Sequence, residues 1–324
     1  MKRRNWIILP LIIFLTTIFS VYVLTLKLNL QSQLAAITLF IFLISLYLLL
    51  GVPELIEKLK EKIRFNCAKV FGIALILLTM YAFYALSVAG FRWEDVGIYA
   101  LYLFFPAFIL LVARPKTDGL TIQDVLVIIT LWVPLLEGWI RLVSIPVEHG
   151  ESLDRILGLI WGIFLFLVVR PLEGVGYTFQ LHRNDIRWAG LYFAVFVAFF
   201  AIPIAVPTHF ITLPPAMKSG TQIFTSLVLI AFSIALPEEL VFRGVIHNLI
   251  SQRLKEKPYV ALMISSAIFG LFHLHQPDSP NWVYVILATL AGWFYGLTYI
   301  RTGKVTAAAI THWLVDSYWR IFFQ

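Results

Sequence analysis

Residues 221–243 read TQIFTSLVLIAFSIALPEELVFR. A solid apolar run passes without a break into Glu238, Glu239 and Arg243. An ionisable side chain near the centre of a bilayer costs about 2.5–3.5 kcal/mol on insertion scales, so one kept there is a functional candidate with a partner inside the bundle. Pro237 suits the first turn of a helix, so the spacing predicts a helix that restarts at this point. The two carboxylates then lie near a positive helix terminus. Glu239 and Arg243 are four residues apart and share a face, where they can pair. Glu238 points about 100° away and is left free of that partner.

The rest of the chain fits this reading. It has 324 residues, 60% of them hydrophobic and 13% charged, with a net charge of +7 and a mean hydropathy of +0.87. A soluble domain is about 45–50% apolar and about 25% charged, so a soluble globular enzyme is excluded. A disordered chain is excluded by the same hydrophobicity. Long solid apolar runs do not match the short alternating segments of an outer-membrane barrel. The expected class is an all-α polytopic membrane protein.

About eleven candidate spans follow from a length of ~20 residues each: 6–26, 34–52, 70–89, 97–113, 122–140, 156–170, 188–206, 221–240, 259–274, 282–300 and 305–322. Pro134 and Glu137 interrupt the fifth. The first follows Lys2, Arg3 and Arg4 and is too long for a signal-peptide core, so it reads as a retained span. With the N-terminus inside, cytoplasmic segments collect Lys58 to Lys69, Arg114/Lys116, Arg170/Arg183/Arg187, Arg253/Lys255/Lys257 and Arg301/Lys304. Outer segments hold the acidic Glu94/Asp95 and Glu148/Glu151/Asp154. Every crossing obeys the positive-inside rule, which accounts for the net charge and needs no nucleic-acid partner. The expected location is the plasma membrane, with a cytoplasmic N-terminus. The single cysteine, Cys67, allows no intrachain disulfide and falls in the basic loop Lys58 to Lys69.

The polar connection Arg170 to Arg187 is the expected boundary. Residues 1–185 form an N-terminal transmembrane bundle of unknown role, and 186–324 carry the chemistry, with every motif inside 219–324. The amphipathic stretch Arg243–Lys257 is expected to project into the cytosol.

Two further clusters accompany the glutamates. Phe269-Gly270-Leu271-Phe272-His273 is followed by His275. Glu239 lies roughly 17 residues before the turn at Lys257-Pro258 and His273 roughly 17 after it, so an antiparallel hairpin at 1.5 Å per residue brings them to one height. His312-Trp313-Leu314-Val315-Asp316 places a histidine and a carboxylate on one face, roughly 12 Å from the Arg301–Lys304 loop. Taken singly, each has a plain structural explanation: a salt-bridged helix end, an interfacial histidine, a His–Asp pair joining helices. Together at compatible depths they point to one site. Such a set can activate water, with Glu238 as general base, His273 assisting, and His312 and Asp316 stabilising an oxyanion. It can alternatively hold a divalent metal such as zinc through His273, His312 and Glu238. The chain has no HExxH zinc motif and no G-x-S-x-G elbow.

Glu238-Glu239-x-x-x-Arg243, Phe269-x-x-x-His273 and His312-x-x-x-Asp316 resemble the three motifs of the CAAX protease and bacteriocin-processing (CPBP, Abi) family, which includes the Rce1-type prenyl-protein endopeptidases. Phe242-Arg243-Gly244 and Tyr299-x-x-Thr302-Gly303 resemble it too. The likeness covers roughly Ser219 to Gln324. It implies an intramembrane endopeptidase with a cytosol-facing cavity, acting on a membrane-embedded or lipidated protein within the bilayer. In family terms Glu238 and His273 activate water, His312 and Asp316 stabilise the intermediate, and Glu239 and Arg243 support the site. The family has been described both as metalloproteases and as metal-free glutamate proteases. The charge of Arg243 beside the carboxylates opposes a cation, so no cofactor is expected, with zinc as the alternative. Asp316 stands where many members have Asn, and an ionised carboxylate donates no hydrogen bond.

Two other classes share some of these features. A proton-coupled transporter also buries such groups, but it shows matching broken helices in two halves, whereas the first half here offers only Glu137 and Arg141. A degenerate scaffold or immunity protein of the same fold is the other. No residue in the sequence reads a prenyl group.

Overall fold

In hydrocarbon a backbone has to satisfy its own hydrogen bonds, and long apolar stretches do so as helices. The computed structural model describes residues 7–114, 119–136, 138–140, 142–143, 153–214, 218–255, 257–274 and 281–323, and these contain helices and no strand. By packing, the chain divides into two compact units, Met1–Glu173 and Gly174–Gln324.

The first unit contains α1 (Ile8–Thr25), α2 (Leu30–Leu49), α3 (Pro53–Ile63), α4 (Cys67–Ser87), α5 (Trp93–Ala113), α6 (Ile122–Leu136) and α7, which runs from Leu153 to Phe164 and closes in a π turn, Leu165–Val169. The second contains α8 (Arg183–Ala205), α9 (Gly220–Arg253), α10 (Pro258–Leu271), α11 (Trp282–Thr302) and α12 (Val305–Phe322). The protein is an integral, multi-pass membrane protein. Among the described residues seven helices, α1, α2, α4, α5, α8, α9 and α11, are long and apolar enough to cross a membrane, and α6 and α10 are shorter apolar helices.

The structure differs from the sequence reading in several places. Pro53 at the first helical turn starts a helix of its own, α3, which buries Ile56 and Ile63. Part of the expected Lys58–Lys69 loop is therefore helical, and Cys67 opens α4 behind an Asn66 cap, its thiol exposed. Arg170, counted as a loop cation, is buried: its Nε donates to Asp124 Oδ1 at 2.9 Å. With Asp154 also buried, the first unit carries more internal charge than Glu137 and Arg141, which lie outside the described residues. Residues 243–249, the start of the stretch Arg243–Lys257 expected to project into the cytosol, are buried within the second unit.

In the second unit an extended strap, 174–182, lies against the turn between α11 and α12. Val305 N donates to Gly176 O at 3.1 Å, and Thr306 Oγ1 donates to Thr178 O at 2.5 Å. Lys304 Nζ reaches Gln180 O at 2.8 Å and Asp185 Oδ2 at 2.6 Å. Tyr299 donates its hydroxyl to Gly174 O. Gly176 (φ +68°) has to be glycine, since a Cβ there would come within 2.0 Å of Gly303 O. Small residues let α11 and α12 approach: Ala288, Ala291, Gly292 and Gly296 face inward on one, Ala307, Ala308 and Ala309 on the other.

Candidate active site

The site is assembled from α9, α11, α12 and the end of α10. Pro237 does not restart a helix, because α9 is continuous from Gly220 to Arg253. A proline inside a helix lacks an N–H and crowds the carbonyl four residues back. The helix absorbs this by widening to π geometry over Ile230–Ala235, just before the proline, and again over Leu240–His247. Such widened turns occur often at functional sites, and Glu238 and Glu239 sit between these two.

Glu239 and Arg243 are both fully buried. Arg243 Nη1 donates to Glu239 Oε1 at 3.0 Å, and Nη2 donates to the Gly292 carbonyl on α11 at 2.6 Å. The guanidinium lies over the rings of Phe269 and Tyr295, 4.8 and 5.5 Å from their centroids. That stacking keeps a desolvated cation among π faces. A Cβ on Gly292 would fall 2.9 Å from Arg243 Nη2, so the absent side chain gives the arginine its berth.

His312 on α12 is buried as well. Its Nδ1 is 3.0 Å from the same Glu239 Oε1. Its Nε2 is 3.2 Å from Asp316 Oδ2 and 3.9 Å from Glu238 Oε2. The ring stacks on Tyr295, with centroids 4.4 Å apart and planes at 15°, and stands edge-on to Phe269 at 5.8 Å. Glu239 thus joins α9 to α12 as well as to its own arginine. Both ring nitrogens of His312 face carboxylate oxygens, which suits a ring with hydrogen on each.

Glu238 is different in kind. Its side chain is 33% exposed, where that of Glu239 is fully buried; its inner oxygen, Oε2, is buried and has no hydrogen-bond partner among the described residues. Asp316 is comparably open, at 31%. Direct contacts therefore join Glu238, Glu239, Arg243, His312 and Asp316. His273 stands across the Phe269 ring. It lies just past the end of α10, with Nδ1 2.8 Å from Phe269 O, its ring 4.7 Å from Phe269 and 4.9 Å from Tyr284. A carbonyl only accepts, so Nδ1 carries the hydrogen and Nε2 keeps the lone pair. His275 lies outside the described residues.

The proposed zinc ligands can be tested on these contacts. A histidine binds metal through a lone pair, and the His312 nitrogens both face carboxylates. Among the described residues no group of three or more His, Cys, Asp or Glu is arranged to hold a metal ion. His273, His312 and Glu238 do not fit a zinc centre in this arrangement, so no metal step is derived.

Sequence reasoning missed Tyr295, Gly292 and Tyr284. The first two carried a signal: Gly292, Tyr295, Gly296 and Tyr299 recur at helical spacing along α11, an aromatic and small-residue face.

Residues 220–318, a little under a third of the chain, match the family described as type II CAAX prenyl endopeptidase Rce1-like. The matched segment includes Glu238, Glu239, Arg243, His273, His312 and Asp316. No curated protein matches the chain, and no solved structure does. The residues of the cluster all lie inside the matched span, and residues 220–318 of this membrane protein are Rce1-like.

Proposed function

We propose that the second unit is an intramembrane endopeptidase that hydrolyses a peptide bond in a membrane-associated or lipidated protein, using water activated by Glu238 and His273. The observation that carries this reading is the asymmetry of the two glutamates. Glu239 is fully buried and held at Oε1 by Arg243 and His312, whereas the Glu238 side chain is one-third exposed, with its inner Oε2 unpartnered and 3.9 Å from His312 Nε2. A general base needs an oxygen free to accept the proton of water. His273, its Nδ1 engaged by Phe269 O, offers a lone pair on Nε2 to orient the same water.

The carbonyl oxygen of the substrate gains charge as water adds, and a donor fixed beforehand lowers that barrier most. His312 Nε2 is the candidate donor. Asp316 accepts that hydrogen before substrate binds, and in the reaction the substrate oxygen takes its place as acceptor. Glu238 then passes its proton to the leaving amine. In this reading Glu239 and Arg243 hold the imidazole and do not touch substrate. The positive-inside pattern supports a cytoplasmic N-terminus and eleven crossings, which put this face of the site toward the cytosol.

The test is cleavage of a farnesylated CAAX peptide and its unprenylated twin by purified protein in liposomes. Cleavage lost in Glu238→Gln, with the protein still folded, is expected. Cleavage by Glu238→Gln at the wild-type rate overturns the assignment. A wild-type protein that cleaves neither peptide, while a membrane-anchored peptide without a prenyl group is cut, removes prenylation but not proteolysis.

A further inference from the structure

Behind the open face of Glu238, the second unit buries four polar atoms that the reaction scheme leaves unused. Glu239 Oε2, Arg243 Nε, Ser266 Oγ and His247 Nδ1 all lack a hydrogen-bond partner. The four residues are 0%, 0%, 1% and 2% exposed. Glu239, Arg243 and His247 are spaced by four along the widened stretch of α9. Ser266 sits one turn before Phe269, the ring beneath the Arg243 guanidinium. The α9–α10 hairpin is antiparallel: Phe242 meets Phe269 at 4.9 Å, while His247 Nε2 meets Pro258 O, at the start of α10, at 3.3 Å. One turn back along α10 therefore leads from Arg243 toward His247, and Ser266 belongs between them.

Native proteins leave few buried polar atoms unsatisfied, and the needs of these four are complementary. Arg243 Nε is a donor and Glu239 Oε2 an acceptor. Ser266 Oγ is both. His247 Nε2 donates to the Pro258 carbonyl, so its Nδ1 is an acceptor. Water is the small molecule that both gives and takes hydrogen bonds, and buried water makes two to four of them. Beyond His247, Asn248 and Gln252 continue the polar seam, with Gln252 Nε2 donating to Asn248 Oδ1 at 3.2 Å.

We propose that a file of internal water molecules runs along the α9–α10 seam from Glu239 to His247, held by Glu239 Oε2, Arg243 Nε, Ser266 Oγ and His247 Nδ1, and opens toward Asn248. Its use rests on the peptidase reading. Each hydrolysis consumes one water, whose oxygen enters the new carboxylate and whose hydrogens leave with the two products. A substrate lying against Glu238 covers the open face, and the file supplies the next water from behind. His247 and Ser266 are positioning residues in this scheme, acting through water.

Radiolytic hydroxyl labelling of the full chain in nanodiscs, read by mass spectrometry, tests the file without substrate. Radicals form from bound water and mark the side chains touching it. His247 and Phe269 should label on the order of tenfold faster than Phe166 and Phe196, which are equally buried among apolar groups. Ser266→Leu, which puts apolar bulk among these atoms, should lower both rates, and Ser266→Ala, which keeps the room, should not. Labelling of His247 and Phe269 at the Phe166 rate overturns the file, as does a folded Ser266→Leu that labels like wild type. If Ser266→Leu does not fold, the wild-type comparison decides alone. A labelled seam in a protein that cleaves no peptide leaves the file standing and removes the peptidase reading. Cleavage with an unlabelled seam removes the file only.

Discussion

Exchanging one carboxylate oxygen for an amide separates the two glutamates. Glu239→Gln removes the countercharge of a fully buried Arg243 and of His312, whose Nδ1 lies 3.0 Å from the same oxygen. Breaking a buried ion pair by removing one partner costs about 3–5 kcal/mol, because the other charge stays desolvated. The amide oxygen keeps one neutral hydrogen bond, so the lower figure applies, about 3 kcal/mol. Arg243 also retains the Gly292 carbonyl and its two aromatic faces, which argues against the upper end. At about 2–4 °C per kcal/mol for a unit of this size, the midpoint falls by roughly 6–12 °C. Glu238→Gln removes no hydrogen bond at Oε2 from a side chain one-third exposed, so its midpoint should stay within about 2 °C. Activity should order the other way. Loss of a general base costs about 10²–10⁴ in rate, so Glu238→Gln should be inactive while folded. The assay pairs thermal unfolding in detergent with cleavage of a farnesylated CAAX peptide in liposomes. If the two variants unfold together and only Glu239→Gln loses cleavage, the roles are reversed and the shared-oxygen argument is wrong.

Gly292→Ala should destabilise, although alanine normally gains about 1 kcal/mol over glycine in a helix. The new Cβ meets Arg243 Nη2 at 2.9 Å and Phe269 at 3.0 Å, and overpacking at about 1–3 kcal/mol outweighs the gain; a raised unfolding midpoint would refute this. Gly176→Ala should destabilise the second unit by at least the about 1–3 kcal/mol of a strained backbone, since its Cβ would reach Gly303 O and lift the strap; unchanged proteolysis of the strap would count against it. Chelation should leave cleavage intact, and elemental analysis should find less than one zinc per chain. Stoichiometric zinc, with activity lost on chelation and restored by zinc alone, would show that the contacts of His312 rearrange to bind metal.

Local pairs were legible in the sequence, and pairs made across the fold were not. Glu239–Arg243 and His312–Asp316 are each four apart on one helix, so their contacts follow from helical geometry. The Glu239–His312 bond joins residues 73 apart, and Asp124–Arg170 joins residues 46 apart. Neither has a local signal. A cation at the end of an apolar run reads as a loop anchor whether it is solvated or, like Arg170, paired inside. The same reasoning failed at Pro237, where propensity suggests a break. Wide turns on either side let the helix continue, and no residue preference marks a π turn in advance. Apolar runs were legible because burial in hydrocarbon demands them wherever they pack. The strap 174–182 was not, because it is held by backbone carbonyls that accept from Tyr299, Lys304, Val305 and Thr306.

The burial of Arg243 is a poor way to gain stability, since a desolvated pair often contributes no more than an apolar replacement would. What it gains is position. One oxygen of Glu239 fixes a cation on its own helix and an imidazole on another, and the Tyr295 ring holds that imidazole in plane. With Nδ1 committed, Nε2 has one direction left, toward Asp316 and Glu238. The carboxylate on the open side of the cluster, one-third exposed and without a hydrogen bond at Oε2, belongs to Glu238. Charge that would be wasted as a stabilising device is used to make one group rigid and leave its neighbour free. That division is what a reaction needing a fixed donor beside a mobile base requires.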